Sequence, residues 1–178
     1  MKGKPKFNYG DKVKFTLGKD TFYGSIYIID PYGTWDDPSD VSYDIMVDNY
    51  GERKEQCLFK HITESLVKKC KIYISLPIAI AEDSVAKRYK ESVDYINKLD
   101  SLKNYDISGP INIHEFNDNG LATPREHDYA WYMGHDIENL LHCDAIFMST
   151  GWEKSLGCRC ELAAAKIYGL KVIYQFNS

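Results

Sequence analysis

Glu161 lies where a carboxylate is hard to explain as structure, in the run Cys158-Arg159-Cys160-Glu161-Leu162-Ala163. The surrounding stretch, CDAIFMSTGWEKSLGCRCELAAAKIYGLKVIY from Cys143 to Tyr174, reads as a buried strand over Asp144 to Ser149 and then a polar loop. A helix opens near Ser155, and a second strand starts at Lys171. A strand, a small-residue loop and a helix start are where α/β proteins present backbone N–H groups to anions. A carboxylate among apolar neighbours just past a strand's carboxyl end is a poor structural choice and a good catalytic one. The competing reading is a charge facing solvent on an amphipathic helix.

The elements that must position Glu161 begin at Lys71. Lys71 to Ser75 reads as a short buried strand, and Val85, Tyr89, Val93, Ile96 and Leu99 recur at helical spacing over Ser84 to Leu102, with Asp83 or Ser84 as N-cap. Ile111 to Phe116 reads as the second strand, and a loop with Gly120 and Pro124 leads to a helix from about Glu126 to Leu141. Strands alternating with helices predict a parallel sheet with right-handed crossovers, and strand order 2-1-3-4 is the expected flavodoxin/Rossmann-like arrangement. A ligand would then sit at the carboxyl ends of the first and third strands. There is no G-x-G-x-x-G after the first of these strands, which argues against a dinucleotide oxidoreductase.

Ahead of this half the period is that of β structure. Lys12 to Thr16, Thr21 to Ile29 and Val41 to Val47 alternate polar and apolar, separated by the turns Tyr9-Gly10-Asp11, Gly18-Lys19-Asp20, Pro31-Tyr32-Gly33 and Asn49-Tyr50-Gly51. Short strands so joined predict an SH3-like small barrel, with His61 to Ser65 as its closing turn. The expected division is a barrel over 1–67 and an α/β domain over 68–178. Phe22, Tyr23, Tyr27 and Tyr32 give the barrel an aromatic-lined surface for a protein partner, although core packing claims half of such alternating positions.

With 178 residues, 44% of them hydrophobic, the chain has enough apolar mass for a real core. A net charge of −4, with basic residues clustered only at the N-terminus and at Lys68, Lys69 and Lys71, argues against bulk electrostatic binding of nucleic acid. No apolar run reaches membrane-span length, and no signal peptide is apparent. Five cysteines lack disulfide spacing, and Cys158 and Cys160, two apart on a helix, make a poor metal clamp. A reducing cytoplasm is the expected compartment, with no metal and no redox cofactor.

The segments Y-I-S-x-P-I at Tyr73, H-D-I-x-x-L at His135, C-D-A-I-x-M at Cys143, G-W-E-K-S-L-G at Gly151 and C-E-L-A-A-A at Cys160 fall in one order along the last hundred or so residues. Together they resemble the nucleoside 2-deoxyribosyltransferase superfamily, including its deoxynucleoside-monophosphate N-glycosidases. The resemblance implies a nucleoside or nucleotide ligand, cleavage or transfer at its N-glycosidic bond, and a homo-oligomer. It implies that Glu161 attacks C1′ to form a glycosyl-enzyme, that Tyr73 orients it, and that Asp136 stands near the leaving base as a proton donor. Ser155 and Gly157 at the helix N-terminus match the element that receives the sugar 5′ end or its phosphate, and Ser75, Pro77 and Trp152 fall at substrate-binding positions. Each has a plainer reading: a core tyrosine, an exposed helix charge, an N-cap serine, a tryptophan covering the sheet edge. Asp144 reads as a structural cap and His135 as a helix-surface residue.

The first loop, Leu76-Pro77-Ile78-Ala79-Ile80, lacks the glycine and the arginine common in the resembled family. A 5′-phosphate would then depend on Arg88, Lys154 or Arg159, and Ser108-Gly109-Pro110-Ile111 reads as a decoy for that loop. The departure keeps open a second function: a non-catalytic nucleotide-binding or sensing module with the barrel as its interaction domain.

Overall fold

Val13 and Phe15 alternate with lysines in Lys12–Leu17 (β1), so one face of the strand is apolar and must be covered. In the computed structural model, which describes residues 4–33, 40–78, 85–110 and 128–176, the cover comes from four further strands. These are Asp20–Asp30 (β2), Ser42–Tyr50 (β3), Glu55–Thr63 (β4) and Val67–Lys69 (β5). The antiparallel sheet runs β4-β3-β2-β1-β5 and closes over Val13, Phe15, Ile26, Tyr43, Ile45 and Val47. The β1–β2 hairpin turns on Gly18, whose φ of 62° is open to glycine at little cost. A register shift between Ile26 and Ile28 leaves neighbours Tyr27 and Ile28 each 48% exposed, breaking the alternation expected along this strand. Tyr23, Tyr27 and Tyr32 are exposed as read from the sequence, whereas Phe22 turns inward and stacks on Phe15 at 5.4 Å between ring centroids.

Two boundaries move. His61, Ile62 and Thr63 belong to β4 rather than to a closing turn, and a short 3-10 turn follows at Glu64–Leu66. Val67–Lys69 pairs antiparallel with β1, so the first unit extends through Cys70 and the second runs from Lys71 to Ser178. At the N-terminal side, Tyr43 donates its hydroxyl to Glu64 Oε2 at 2.5 Å, while Lys6 adds its backbone N–H at 2.8 Å and its ammonium at 3.2 Å. Burial pushes the Glu64 carboxyl up, but these donors hold it below its ordinary value; burial and Glu64 together push Tyr43 up to about 12.

The second unit has four parallel strands, Lys71–Ser75 (β6), Asp106–Ser108 (β7), Ala145–Met148 (β8) and Lys171–Tyr174 (β9), in the order β7-β6-β8-β9. The strand beside β6 is thus Asp106–Ser108; Ile111 to Phe116, expected to fill that place, lies outside the described residues. Alternation sorts the buried strands into two faces. Ile72, Ile74, Ala145 and Phe147 pack with Val85 and Ile96 of the helix Val85–Lys98 (α1). Tyr73, Ile146 and Met148 pack with Leu140 of Tyr129–Leu141 (α2) and with Cys158, Leu162 and Ala165 of Leu156–Ile167 (α3). Helices thus cover both faces of the sheet. Among the described residues no helix is long and apolar enough to cross a membrane.

Tyr43→Phe removes a donor from a buried carboxylate without changing shape, so it should lower the stability of the first unit by about 1–3 kcal/mol. Urea unfolding of the full chain should show an earlier midpoint with little change in slope; an unchanged midpoint would mean that the contact contributes nothing net.

Candidate active site

Residues 73 and 75 share the face of β6 turned toward α2 and α3, because strand side chains alternate with a period of two. Opposite them, Ser155 caps α3 by accepting from the Cys158 N–H, and Glu161 follows in the second turn on the inner side of the helix. The Tyr73 hydroxyl donates to Glu161 Oε1 at 2.7 Å, and the Ser75 hydroxyl donates to Oε2 at 2.5 Å. Glu161 is 3% exposed and Asp136, on the inner face of α2, is 5% exposed.

Burial pushes the Glu161 carboxyl up, the Ser75 and Tyr73 hydroxyls pull it back, and the charge of Asp136 raises it further, so that it titrates at about 7. Tyr73 is driven well above its usual range by burial first and by the Glu161 and Asp136 charges next. Burial lifts the Cys158 thiol to about 11, with Glu161 adding to the rise, so this cysteine is a poor thiolate source despite its position.

Glu161 and Asp136 form the polar end of a cavity of about 290 Å³ whose walls are largely apolar: Leu76, Ile78, Met133 and Leu156, with Tyr129 and Tyr132. Ser155, Gly157 and Lys154 line it at the N-terminus of α3, and a Cβ at Gly157 would stand 3.4 Å from the Tyr129 hydroxyl. Tyr73 and Ser75 stand behind Glu161 rather than on the wall.

Other residues singled out in the sequence fall elsewhere. Pro77 offers its carbonyl to the Arg88 guanidinium, which makes Arg88 an anchor of the loop after β6, and Leu76 and Ile78 on either side of Pro77 are the ones that reach the cavity. Trp152 leans on Tyr174 of the edge strand β9, 5.7 Å between ring centroids, and does not line the cavity. His135 stacks on Trp131 with its Nδ1 2.9 Å from the Trp131 carbonyl, away from Glu161. Asp144 accepts the Lys71 N–H at 2.9 Å and so ties β6 to β8. The supposed decoy string closes β7: Asn139 of α2 accepts from the Ser108 hydroxyl and donates to the Gly109 carbonyl, each at 3.0 Å, and Pro110 lines the cavity. Among the described residues there is no cluster of three side chains able to hold a metal ion.

Residues 70–174 match the family model described as a domain of unknown function (DUF4406), more than half of the chain. Comparison with curated proteins finds no match.

In the unfolded chain Glu161 loses its proton near 4.5, and in the folded protein it keeps it to about 7, so this group's contribution to stability falls as pH rises between those values. The full span is worth about 3 kcal/mol, and Glu161→Gln, which keeps the shape without the charge, removes the penalty. The variant should melt above the native protein at about pH 8 and the gap should close by about pH 5. Equal melting temperatures at both pH values would mean that Glu161 is not a strained buried carboxylate.

Proposed function

We propose that this chain, which belongs to the DUF4406 family, is an enzyme that cleaves or exchanges the N-glycosidic bond of a nucleoside or its 5′-monophosphate. The observation that carries the proposal is the buried Tyr73–Glu161 hydrogen bond, its carboxylate on the wall of a largely apolar cavity, with a second carboxyl, Asp136, on the same wall. A buried carboxylate kept beside a like charge is a costly arrangement that a structural role does not call for. The resemblance of Y-I-S, H-D-I and C-E-L-A-A-A to the deoxyribosyltransferase segments supports the same assignment of roles.

In this reading a Glu161 carboxylate oxygen bonds to C1′ as the C1′–N bond breaks through an oxocarbenium-like transition state. The electron pair of the broken bond goes to the base nitrogen, with Asp136 delivering the proton that neutralises the departing base. Water, or a second base, then attacks C1′ and returns a proton to Asp136, freeing Glu161. Tyr73 stays neutral and orients the nucleophile. The apolar walls with Tyr129 and Tyr132 suit the flat faces of a base, and Ser155 with the first N–H groups of α3 suits the sugar 5′ end. The finer fold reading accompanies this one: an SH3-like small barrel ahead of a flavodoxin-like sheet with the site at its switch point.

Deoxynucleosides, ribonucleosides and their 5′-monophosphates should be incubated with the protein and base release followed by chromatography. Release is expected for a subset of the panel, lost by about a thousandfold or more in Glu161→Ala. No release anywhere, together with a nucleotide-induced rise in melting temperature, would replace this reading with the non-catalytic binding module.

A further inference from the structure

Glu161 receives a hydroxyl on each oxygen, and the second donor does not touch the cavity. Ser75 is fully buried, and its hydroxyl points at Glu161 Oε2 from 2.5 Å. Its backbone is held in turn from β8: the Ser149 N–H and hydroxyl both donate to the Ser75 carbonyl, at 3.0 and 2.9 Å. The serine's backbone is therefore held by the strand pairing, and its side chain does not line the cavity but meets Glu161 and also Cys158 of α3. The resemblance sets it among substrate-binding positions; its hydroxyl meets the Glu161 carboxyl.

We propose that Ser75 is a positioning residue for the glycosidic reaction: by holding Oε2 it sets the plane of the Glu161 carboxylate and favours the charged, nucleophilic form of that group. The inference rests on the reading above and deepens it. One donor would leave the carboxylate free to turn about its Cγ–Cδ bond, whereas donors two residues apart on one strand define both of its oxygens. Each oxygen has about two lone-pair directions, so one remains on either for attack at C1′. A bond from a neutral hydroxyl to a charged oxygen in a buried site favours the charged form, and here it opposes burial and the Asp136 charge. Ser75 stands ahead of Tyr73 among the influences that pull Glu161 back toward ionisation.

Among the described residues, the titratable groups that touch Glu161 or line its cavity are Tyr73 from β6, Tyr129, Tyr132 and Asp136 from α2, Cys158 within α3, and Lys154. Tyr73 and Cys158 are both held far toward their neutral forms and so do not titrate alongside Glu161. Asp136 opposes the Glu161 charge whenever it is itself ionised, and Ser75 acts against that influence.

The test measures the Glu161 carboxyl directly and the reaction separately. In full-length protein carrying glutamate labelled with ¹³C at the carboxyl, the Glu161 resonance is assigned by its disappearance in Glu161→Gln and titrated against pH. Ser75→Ala should raise the midpoint by about one unit, and Ser75→Cys, a weaker donor of similar volume, by less. Base release by Ser75→Ala should fall about fivefold near neutral pH and recover as pH rises past the new midpoint. A midpoint unmoved in Ser75→Ala, or in Ser75→Cys should the alanine variant not fold, overturns the proposal. So does a uniform loss of rate with no displacement of the acid limb, since that is what a packing defect produces. If the midpoint moves but the native protein releases no base from any substrate, the hold on Oε2 stands, and the glycosidic reading and the catalytic purpose of Ser75 fall together.

Discussion

A buried carboxylate with a hydroxyl on each oxygen is the constraint around which the second unit is arranged. Glu161 is nearly dry, a dry charge is expensive, and the donors that make it tolerable come from one strand. That requirement explains why β6 is central in the sheet and why its exit carries a tyrosine and a serine on the same face. It also explains why α3 begins with an N-cap serine that fixes the helix's rotation a turn and a half before Glu161.

The chain uses a tyrosine–glutamate pair twice with opposite electrostatic results. Tyr43 and Glu64 lie 2.5 Å apart, Tyr73 and Glu161 2.7 Å apart, and all four side chains are buried. Glu64 also meets an ammonium and a backbone N–H from Lys6, so its carboxyl is held below its ordinary value. Glu161 is more deeply buried and faces a second carboxyl, so its own is held above although two hydroxyls pull it down. The pair alone decides neither outcome; the depth of burial comes first, outweighing the donors at Glu161 and yielding to them at Glu64, and the charge of the third partner adds in the same direction in each case. One arrangement fastens the N-terminal segment, and the other stores the electrostatic strain from which acid–base chemistry is built.

Mixed α/β architecture, an antiparallel unit followed by a parallel one, was legible because period-2 and period-3.6 patterns occupy separate halves of the chain. β4 was not legible: Glu55–Thr63 shows no clean alternation, since register shifts interrupt its pairing with β3. Short β7 was missed for a related reason, because three residues cannot display a period. Glu161 stood out through its apolar neighbours, and Tyr73 and Asp136 through their resemblance to known segments. Ser75 was marked by the same resemblance, but as a substrate contact, and Asn139 was not marked at all. A serine ending a strand and an asparagine on a helix are ordinary residues until the third dimension shows which atoms they face.

Asp136 and Asn139 stand three apart on α2, one presenting a carboxyl to the cavity and the other gripping the backbone at Ser108 and Gly109. A single helical turn thus joins the chemistry to the wall at Pro110. For molecular evolution the consequence is a pleiotropic link: a substitution that reshapes the pocket by loosening the Gly109 backbone also tilts the helix that aims Asp136. Under the proposed function, changes in ligand preference and in proton delivery would then arrive together, and drift at one position would have to be answered at the other.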